Sequence, residues 1–218
     1  MTELTPALLL AITGRTLLVS FCALVAAVGI GVPVGIWLGA RTFRGRSGVI
    51  AIVNSGMGAP PVVVGLGVAL LLWRTGPLGT LEMMYTPQAM VLGQILIALP
   101  LVVGITLAAV AALDESWDLQ VRTLGVPGLS RIWLLLREIR QGLLAAVIAA
   151  LGGILSEVGA VMMVGGNIAG ETRVLTTAIM MRTRMGDFEA AIGLAAVLLG
   201  LMFVLAAVLT VVQQGGRR

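Results

Sequence analysis

Charged residues divide the chain into long stretches that are almost entirely apolar. No charge interrupts residues 16–40, 47–73, 83–113 or 190–216, and residues 141–170 contain a single acid, Glu157. Each stretch exceeds the roughly 20 residues that a helix needs to cross the hydrocarbon core of a bilayer. In lipid only a helix or a closed barrel satisfies the backbone, and these stretches lack a barrel's alternation. We therefore predict five transmembrane helices, at residues 16–39, 49–72, 89–113, 142–164 and 190–212.

The composition supports an all-α fold, a polytopic membrane helical bundle. Hydrophobic residues make up 59% of the chain and charged residues 11%, with a mean hydropathy of +1.08. A soluble domain is about 45–50% apolar and about 25% charged, so a soluble fold would have too little polar surface. The first apolar stretch has no basic segment before it, which favours a retained helix over a cleaved signal peptide. We expect residues 1–218 to form a single transmembrane domain.

The basic residues exclude several classes of function. All 14 are arginine, and the chain has neither lysine nor histidine. Without the lysine of a Walker A loop the chain cannot hydrolyse ATP by that route, and without histidine it has no imidazole for catalysis or metal binding. We therefore predict no enzyme activity, no cofactor and no metal site. The arginines are scattered between apolar stretches, which argues against nucleic acid as a partner. The single cysteine, Cys22, is interpreted as a small core residue.

Arginine placement predicts the orientation of the chain in the cell membrane. Cytoplasmic segments carry an excess of basic residues, so the side with more arginines is expected to be inside. This favours an N-terminus outside and a C-terminus in the cytoplasm. The inner segments would then hold nine arginines and the outer segments five. The inner ones are Arg41, Arg44, Arg46, Arg122, Arg131, Arg137, Arg140, Arg217 and Arg218, and the outer ones are Arg15, Arg74, Arg173, Arg182 and Arg184.

Residues 114–140 form a long charged connection between the third and fourth predicted helices. Two short helical stretches are expected to flank a break at residues 125–128. Gly125 and Gly128 can adopt the backbone angles of a turn, and Pro127 blocks continuation of a helix. Such a pair of helices on the cytoplasmic face could dock into a groove on a soluble partner. An ordinary interfacial connector remains the alternative.

Three segments resemble a known family. Residues 119–125, LQVRTLG, are similar to the EAA loop of ABC importer permeases, with Gly125 at the central glycine. The acidic-alanine start of that motif is absent here, and Arg137 and Glu138 stand where it closes with Leu-Pro. Residues 59–79 and 156–180 resemble the second-helix and fourth-helix blocks of molybdate and tungstate permeases. Residues 75–78, 86–90 and 160–167 favour the tungstate branch.

This resemblance implies a type I importer permease with a cytoplasmic coupling helix. Two copies would form the pathway as a homodimer in the lipid membrane. A cytoplasmic ATP-binding subunit would drive each copy, and a periplasmic or lipid-anchored substrate-binding protein would deliver an oxyanion. The residues expected to couple to the ATPase are Asp118, Gln120, Arg122, Thr123, Leu124, Gly125, Pro127 and Gly128. Contacts with the binding protein are expected at Asn167, Glu171, Thr172 and Arg173.

Polar residues inside the apolar stretches are candidates for the pathway. An ionised acid in mid-membrane costs on the order of 2.5–3.5 kcal/mol, so Glu157 is expected to face a cavity or a partner group. It could act as a gate residue, or pair structurally with an arginine or with backbone donors. Asn54, Ser55, Gln94 and Ser156 could offer hydrogen bonds to an oxyanion, or could join helices to one another.

Other functions remain open at this stage. The same machine could carry molybdate or sulfate instead of tungstate. A self-sufficient secondary carrier would normally show internal repeats, and none is evident. An intramembrane enzyme is disfavoured because histidine and paired membrane carboxylates are both lacking.

Overall fold

The computed structural model describes residues 5–114 and 116–215. Within them the chain forms ten α-helices and a short 3-10 turn, Gly79–Leu81. The helices are α1 Pro6–Ala40, α2 Arg46–Met57, α3 Pro61–Leu72, α4 Pro87–Ala111, α5 Trp117–Thr123, α6 Gly128–Glu138, α7 Arg140–Ser156, α8 Gly159–Gly165, α9 Leu175–Arg184 and α10 Phe188–Gly215.

Helix α1 begins earlier than the sequence pattern predicts. It starts at Pro6 and not near residue 16, so Arg15 lies inside the helix. The Thr5 side chain accepts a hydrogen bond from the Leu8 amide at 3.3 Å, and proline in the first turn fits because its missing N–H needs no partner there. The predicted boundary was wrong because a charged residue was taken as the limit of the membrane segment.

The five predicted membrane helices agree with the structure only when each bent pair of helices is counted as one span. Among the described residues, three helices are long and apolar enough to span a membrane, namely α1, α4 and α10. The pair α2 and α3 bends by 105°, and the pair α6 and α7 bends by 65°. Counting each pair as one span gives up to five spans. The predicted continuous second helix, 49–72, is therefore wrong, since residues 58–60 interrupt it.

The predicted fourth helix, 142–164, is also interrupted. Helix α7 ends at Ser156, and α8 begins at Gly159. Glu157 has an extended backbone conformation, with φ −75° and ψ 128°, and Val158 is the last residue before α8. Glu157 therefore lies at a helix break and not inside a continuous helix. The predicted break at residues 125–128 is confirmed, because α5 ends at Thr123 and α6 begins at Gly128.

Helices α1 and α4 pack along each other through a stripe of small residues. A Cβ added at Gly31, Gly35 or Gly39 would lie 2.7 Å from side-chain atoms of α4. Such close approach suits membrane helices, which associate through van der Waals packing where apolar lipid gives no hydrophobic drive. Glycine therefore allows tight helix packing at this seam, whereas Gly29 has open space around it.

A second close seam joins α3 and α8. A Cβ added at Gly65 would collide with the backbone of Ala160, and one added at Gly159 would lie 2.5 Å from Val62. The two short helices therefore approach almost backbone to backbone. Each of them follows one of the helix breaks, so the seam holds the two broken segments together.

Many large apolar side chains are exposed on the outside of the bundle. On α10 these include Leu199, Phe203 and Val204. Cys22, predicted to be a core residue, is exposed on α1, and that prediction was wrong. In a membrane protein the apolar exterior meets lipid or another protein, so burial within the chain cannot be read from hydrophobicity alone.

We expect substitution of Gly65 by alanine to destabilise the α3–α8 seam by about 1–3 kcal/mol, because its methyl group would overpack against Ala160. The thermal midpoint of the detergent-purified protein should fall. Gly67→Ala is the matched control, since Gly67 lies on the same helix with nothing within 4 Å. Equal midpoints for the two variants would contradict the seam.

Candidate functional site

The two helix breaks face each other across a cavity of about 290 Å³. One wall comes from the turn between α2 and α3, one from the end of α7, and α4 closes the space between them. Glycine and proline at the first turn leave backbone rather than bulky side chains at the surface. The lining residues are Gly56, Met57, Gly58, Ala59, Pro60, Pro61, Val64, Ile97, Leu101, Gly153, Ser156 and Glu157.

Glu157 caps helix α8. Its carboxylate Oε1 accepts a hydrogen bond of 2.7 Å from the backbone N–H of Ala160, and the residue is only 6% exposed. The first amides of any helix lack partners within the helix, and a negatively charged acceptor is favourable at that end. Of the two predicted structural partners, arginine or backbone donors, the described residues provide the backbone donor, and no arginine forms an ion pair with Glu157.

Ser156 and Gln94 donate hydrogen bonds to backbone carbonyls on the α7 side of the same break. The carbonyls at the end of α7 have lost their helical donors, and side chains replace some of them. The Ser156 hydroxyl donates to the Gly153 carbonyl at 3.2 Å, and the Gln94 amide donates to the Ile154 carbonyl at 3.4 Å. Gln94 is buried, and its Oε1 has no hydrogen-bond partner in the described structure.

The predicted pathway residues thus separate into two groups. The structure brings Gln94, Ser156 and Glu157 together at the end of α7, and the last two line the cavity. Asn54 and Ser55 lie apart on the exposed surface of α2. The backbone of residues 58–61 was missed as part of the cavity wall, although its Gly-Ala-Pro-Pro sequence signals a turn.

Helices α5 and α6 form a hairpin held by one acidic residue. Asp118 of α5 pairs with Arg122 of α5 at 2.8 Å and with Arg131 of α6. Gly125, at φ +66°, makes the turn, a conformation that other residues rarely adopt. Pro127 caps α6. The pair between Asp118 and Arg131 cross-links the two helices, whereas the pair between Asp118 and Arg122 lies within α5.

The hairpin buries Val121 and Leu135 but exposes several other large apolar side chains. Leu124 is 78% exposed and Leu129 85%, and Leu119, Ile132 and Trp133 are exposed as well. Among the predicted coupling residues, Gln120 donates to the Ser116 hydroxyl at 2.7 Å and Thr123 to the Leu119 carbonyl at 2.8 Å, so both stabilise the hairpin itself. Sequence analysis missed Leu129 and Trp133, which are signalled only by their place on an amphipathic helix.

A groove of about 970 Å³ lies where the hairpin meets the last turns of α1 and α4. Arg41, Asp114, Asp118 and Arg131 are among its lining residues. Hydrogen bonds from Ser116, through its side chain and its backbone, lower the pKa of the Asp114 carboxyl, because they favour the charged form. Charged side chains thus line this groove, beside an apolar contact in which Leu135 of α6 packs with Val110 of α4.

The loop of residues 166–173, between α8 and α9, is ordered by its own side chains. Thr172 is fully buried, and its hydroxyl accepts a hydrogen bond of 2.8 Å from the Ile168 amide. Arg173 donates to the Asn167 side-chain oxygen at 3.2 Å and to the Asn167 carbonyl at 3.3 Å. Glu171 is exposed. Three of the four residues predicted for this loop thus shape the loop, and Glu171 is accessible to a partner.

Arginines converge at this end of the molecule. Arg15 of α1 donates to the Arg173 carbonyl at 3.0 Å and to the Gly170 carbonyl. Burial lowers the pKa of Arg173, and the positive charges of Arg182 and Arg15 lower it further. Arg182 pairs with Asp187 at 2.7 Å. Positive charge is therefore concentrated beside the loop.

The sequence matches a family model described as binding-protein-dependent transport system inner membrane component, over residues 31–217. The match covers most of the chain. The chain belongs to this family. It is thus a multi-pass component of a membrane, as the apolar stretches predict.

Two relatives within this group of permeases are similar over nearly their whole length. A probable anion ABC transporter permease protein of Haloferax volcanii is 43% identical over 201 residues, which are 89% of this chain and 86% of the relative. The tungstate uptake system permease protein TupB of Peptoclostridium acidaminophilum is 40% identical over 196 residues, which are 90% and 86% of the two chains.

A solved structure shows the same fold. The chain superposes on a chain of the MetNI methionine ABC transporter in an inward-facing conformation with a TM-score of 0.75, covering 100% of both chains at 18% identity. The predicted fold, a helical membrane bundle like that of type I ABC permeases, is therefore confirmed.

We expect Arg15→Met to loosen the 166–173 loop, because it removes both donors to the loop carbonyls while keeping an apolar stem within α1. Amide hydrogen exchange at residues 170–174 should rise by roughly tenfold, which corresponds to about 1.4 kcal/mol. Arg184→Gln is the control, since Arg184 is an exposed arginine of the neighbouring helix α9. Unchanged exchange in Arg15→Met would show that Arg15 does not hold the loop.

Proposed function

We propose that this chain is the membrane-spanning permease subunit of an ABC importer for a tetrahedral oxyanion, with tungstate as the first candidate. The observation that carries the proposal is the 40% identity to a tungstate uptake permease across most of both chains. The relative named as an anion transporter permease, at 43% identity, supports the same substrate class. Molybdate and sulfate have the same tetrahedral shape and charge, so they are the competitors that a test must include.

A homodimer is supported by the exposed face of α2. Ser47, Asn54 and Ser55 lie on one side of this helix and are exposed, whereas Val53 and Met57 face Gly104 of α4. Polar groups in lipid are costly, so a polar helix face is expected to meet water or another protein. A single chain with at most five spans offers little to enclose a solute path. Two copies with these faces opposed would provide hydrogen-bond donors along a shared pathway.

The α5–α6 hairpin is proposed as the docking element for a cytoplasmic ATPase. Its exposed leucines form an apolar surface for docking. Asp118 cross-links the two helices of the hairpin, and an element that transmits force needs such a fixed shape. Only Ile139 separates α6 from α7, so a displacement of α6 acts directly on the helix that ends at the cavity. In this proposal the chain itself is non-catalytic, and the lack of lysine agrees with an ATP-hydrolysing partner chain.

The sidedness is proposed from the arginine count, and the bond between Arg15 and the 166–173 loop tells which segments share one side. The first turns of α1 and this loop lie at the same end of the bundle, because Arg15 donates to the loop carbonyls. The arginine count favours this end as the outer one, with the hairpin and the C-terminus in the cytoplasm. Glu171 and Arg173 are then available for a substrate-binding protein on the outer side.

Transport by reconstituted vesicles tests the proposal. We expect tungstate uptake when the permease is combined with its ATPase and binding protein and ATP is supplied, and no accumulation by the permease alone. Excess molybdate or sulfate in the same assay ranks the oxyanions. Uphill tungstate accumulation by the permease alone would contradict the proposal and would support a secondary carrier.

Leu124→Glu should weaken the docking of the ATPase. A charge on this exposed leucine adds no strain to the permease but places an unpaired carboxylate in the proposed apolar contact, which should reduce co-purification of the ATPase by roughly tenfold or more. The detergent thermal midpoint should not change. Leu81→Gln, an exposed leucine in the 3-10 turn, is the control. Full recovery of the ATPase with Leu124→Glu would exclude Leu124 from the interface.

A further inference from the structure

Glu157 brings a carboxylate into the cavity wall without a positive partner. Of the twelve residues that line the cavity in the described structure, it is the one with an ionisable side chain. Its hydrogen bond comes from the Ala160 amide, and the described arginines form no ion pair with it. The cavity therefore has an acidic group at the meeting point of the two helix breaks that is stabilised by the N-terminal end of α8 and not by an arginine in the described structure.

A carboxylate in the wall of an anion pathway would repel the anion. Its presence there is understandable if this repulsion is part of the function. Unit charges of like sign repel strongly at short range where water is scarce, and the effect doubles for a dianion. The cap on α8 does not need a negative charge, because a neutral carbonyl oxygen accepts the same backbone hydrogen bond. The acceptor atom and the charge of Glu157 can therefore be separated by substitution.

We propose that the charge of Glu157 bars oxyanions from the cavity in the resting transporter, in addition to the capping of α8 by its Oε1. This inference rests on the proposed function, because it places the cavity on the oxyanion pathway. The bond to Ala160 ties the carboxylate to α8, so a rearrangement of α8 against α7 would move the charge out of the path together with the helix. Passage of the anion is then coupled to the driven rearrangement.

Glu157→Gln removes the charge and keeps an oxygen that can cap α8, whereas Glu157→Ala removes both. The two variants and the wild type are reconstituted as the complete transporter in vesicles, without nucleotide, and tungstate efflux down its gradient is measured. Sucrose efflux from the same vesicles reports any uncharged leak. Glu82→Gln, the loss of an exposed carboxylate directly after the 3-10 turn, is the control.

We expect tungstate efflux through Glu157→Gln to exceed that of the wild type by roughly tenfold or more, with unchanged sucrose efflux and an unchanged thermal midpoint. Glu157→Ala should leak as well and melt earlier, and Glu82→Gln should behave as the wild type. Wild-type efflux from Glu157→Gln would overturn the inference. So would a leak confined to Glu157→Ala, which would assign the effect to the lost cap, or an equal rise in sucrose efflux.

The wild-type complex also separates this inference from the proposed function. When it accumulates tungstate with ATP and Glu157→Gln does not leak, only the charge barrier fails. When the wild-type complex does not transport any oxyanion with ATP, the proposed function itself fails.

Discussion

The interior of a bilayer offers no water to unsatisfied backbone groups, so every helix break inside it must bring its own hydrogen-bond partners. The break between α7 and α8 meets this requirement with side chains. Glu157 accepts from the Ala160 amide, Ser156 donates to the Gly153 carbonyl, and Gln94 of α4 donates to the Ile154 carbonyl. Polar residues that would otherwise be costly in an apolar stretch thus make an interrupted helix tolerable. The cavity exists because of this interruption, and its acidic group is part of the device that stabilises it.

The same break organises the contacts that run through the bundle. Helix α8 packs against α3 through Gly65 and Ala160, and then leads into the loop that Arg15 holds. At its other end α7 follows α6 directly, and Asp118 ties α6 to α5. A continuous series of elements therefore joins the exposed hairpin to the opposite end of the molecule. Helical hydrogen bonding in this series is interrupted at the cavity. Movement is expected where helical hydrogen bonds are already replaced by side chains.

Sequence analysis predicted the membrane-spanning class and the hairpin because each depends on a strong local signal. Long uncharged stretches are required by lipid, and Gly125 with Pro127 marks a turn in any environment. The break at residues 157–158 was missed because an apolar stretch shows no change of pattern where a membrane helix stops, whereas the Gly-Ala-Pro-Pro sequence at residues 58–61 does signal a turn. Arg15 misled the first boundary, since an arginine that donates to loop carbonyls can belong to a helix. The sequence shows that Asn54 and Ser55 are polar residues in an apolar stretch. It does not show that they lie apart from Glu157, because their position depends on the fold around α2.

The distribution of charge along this chain suits a path that lets an anion pass without binding it tightly. Arg15 and Arg173 concentrate positive charge at one end, and the groove at the other end has arginines together with Asp118, which pairs with Arg131. The cavity between them has no arginine in its described lining and contains the carboxylate of Glu157. Arginines at the ends attract a dianion, whereas an arginine in the middle would hold it too firmly for release. Under the proposed function, high affinity for the oxyanion comes from a separate capturing protein, and the proposed charge barrier of Glu157 selects against unassisted passage.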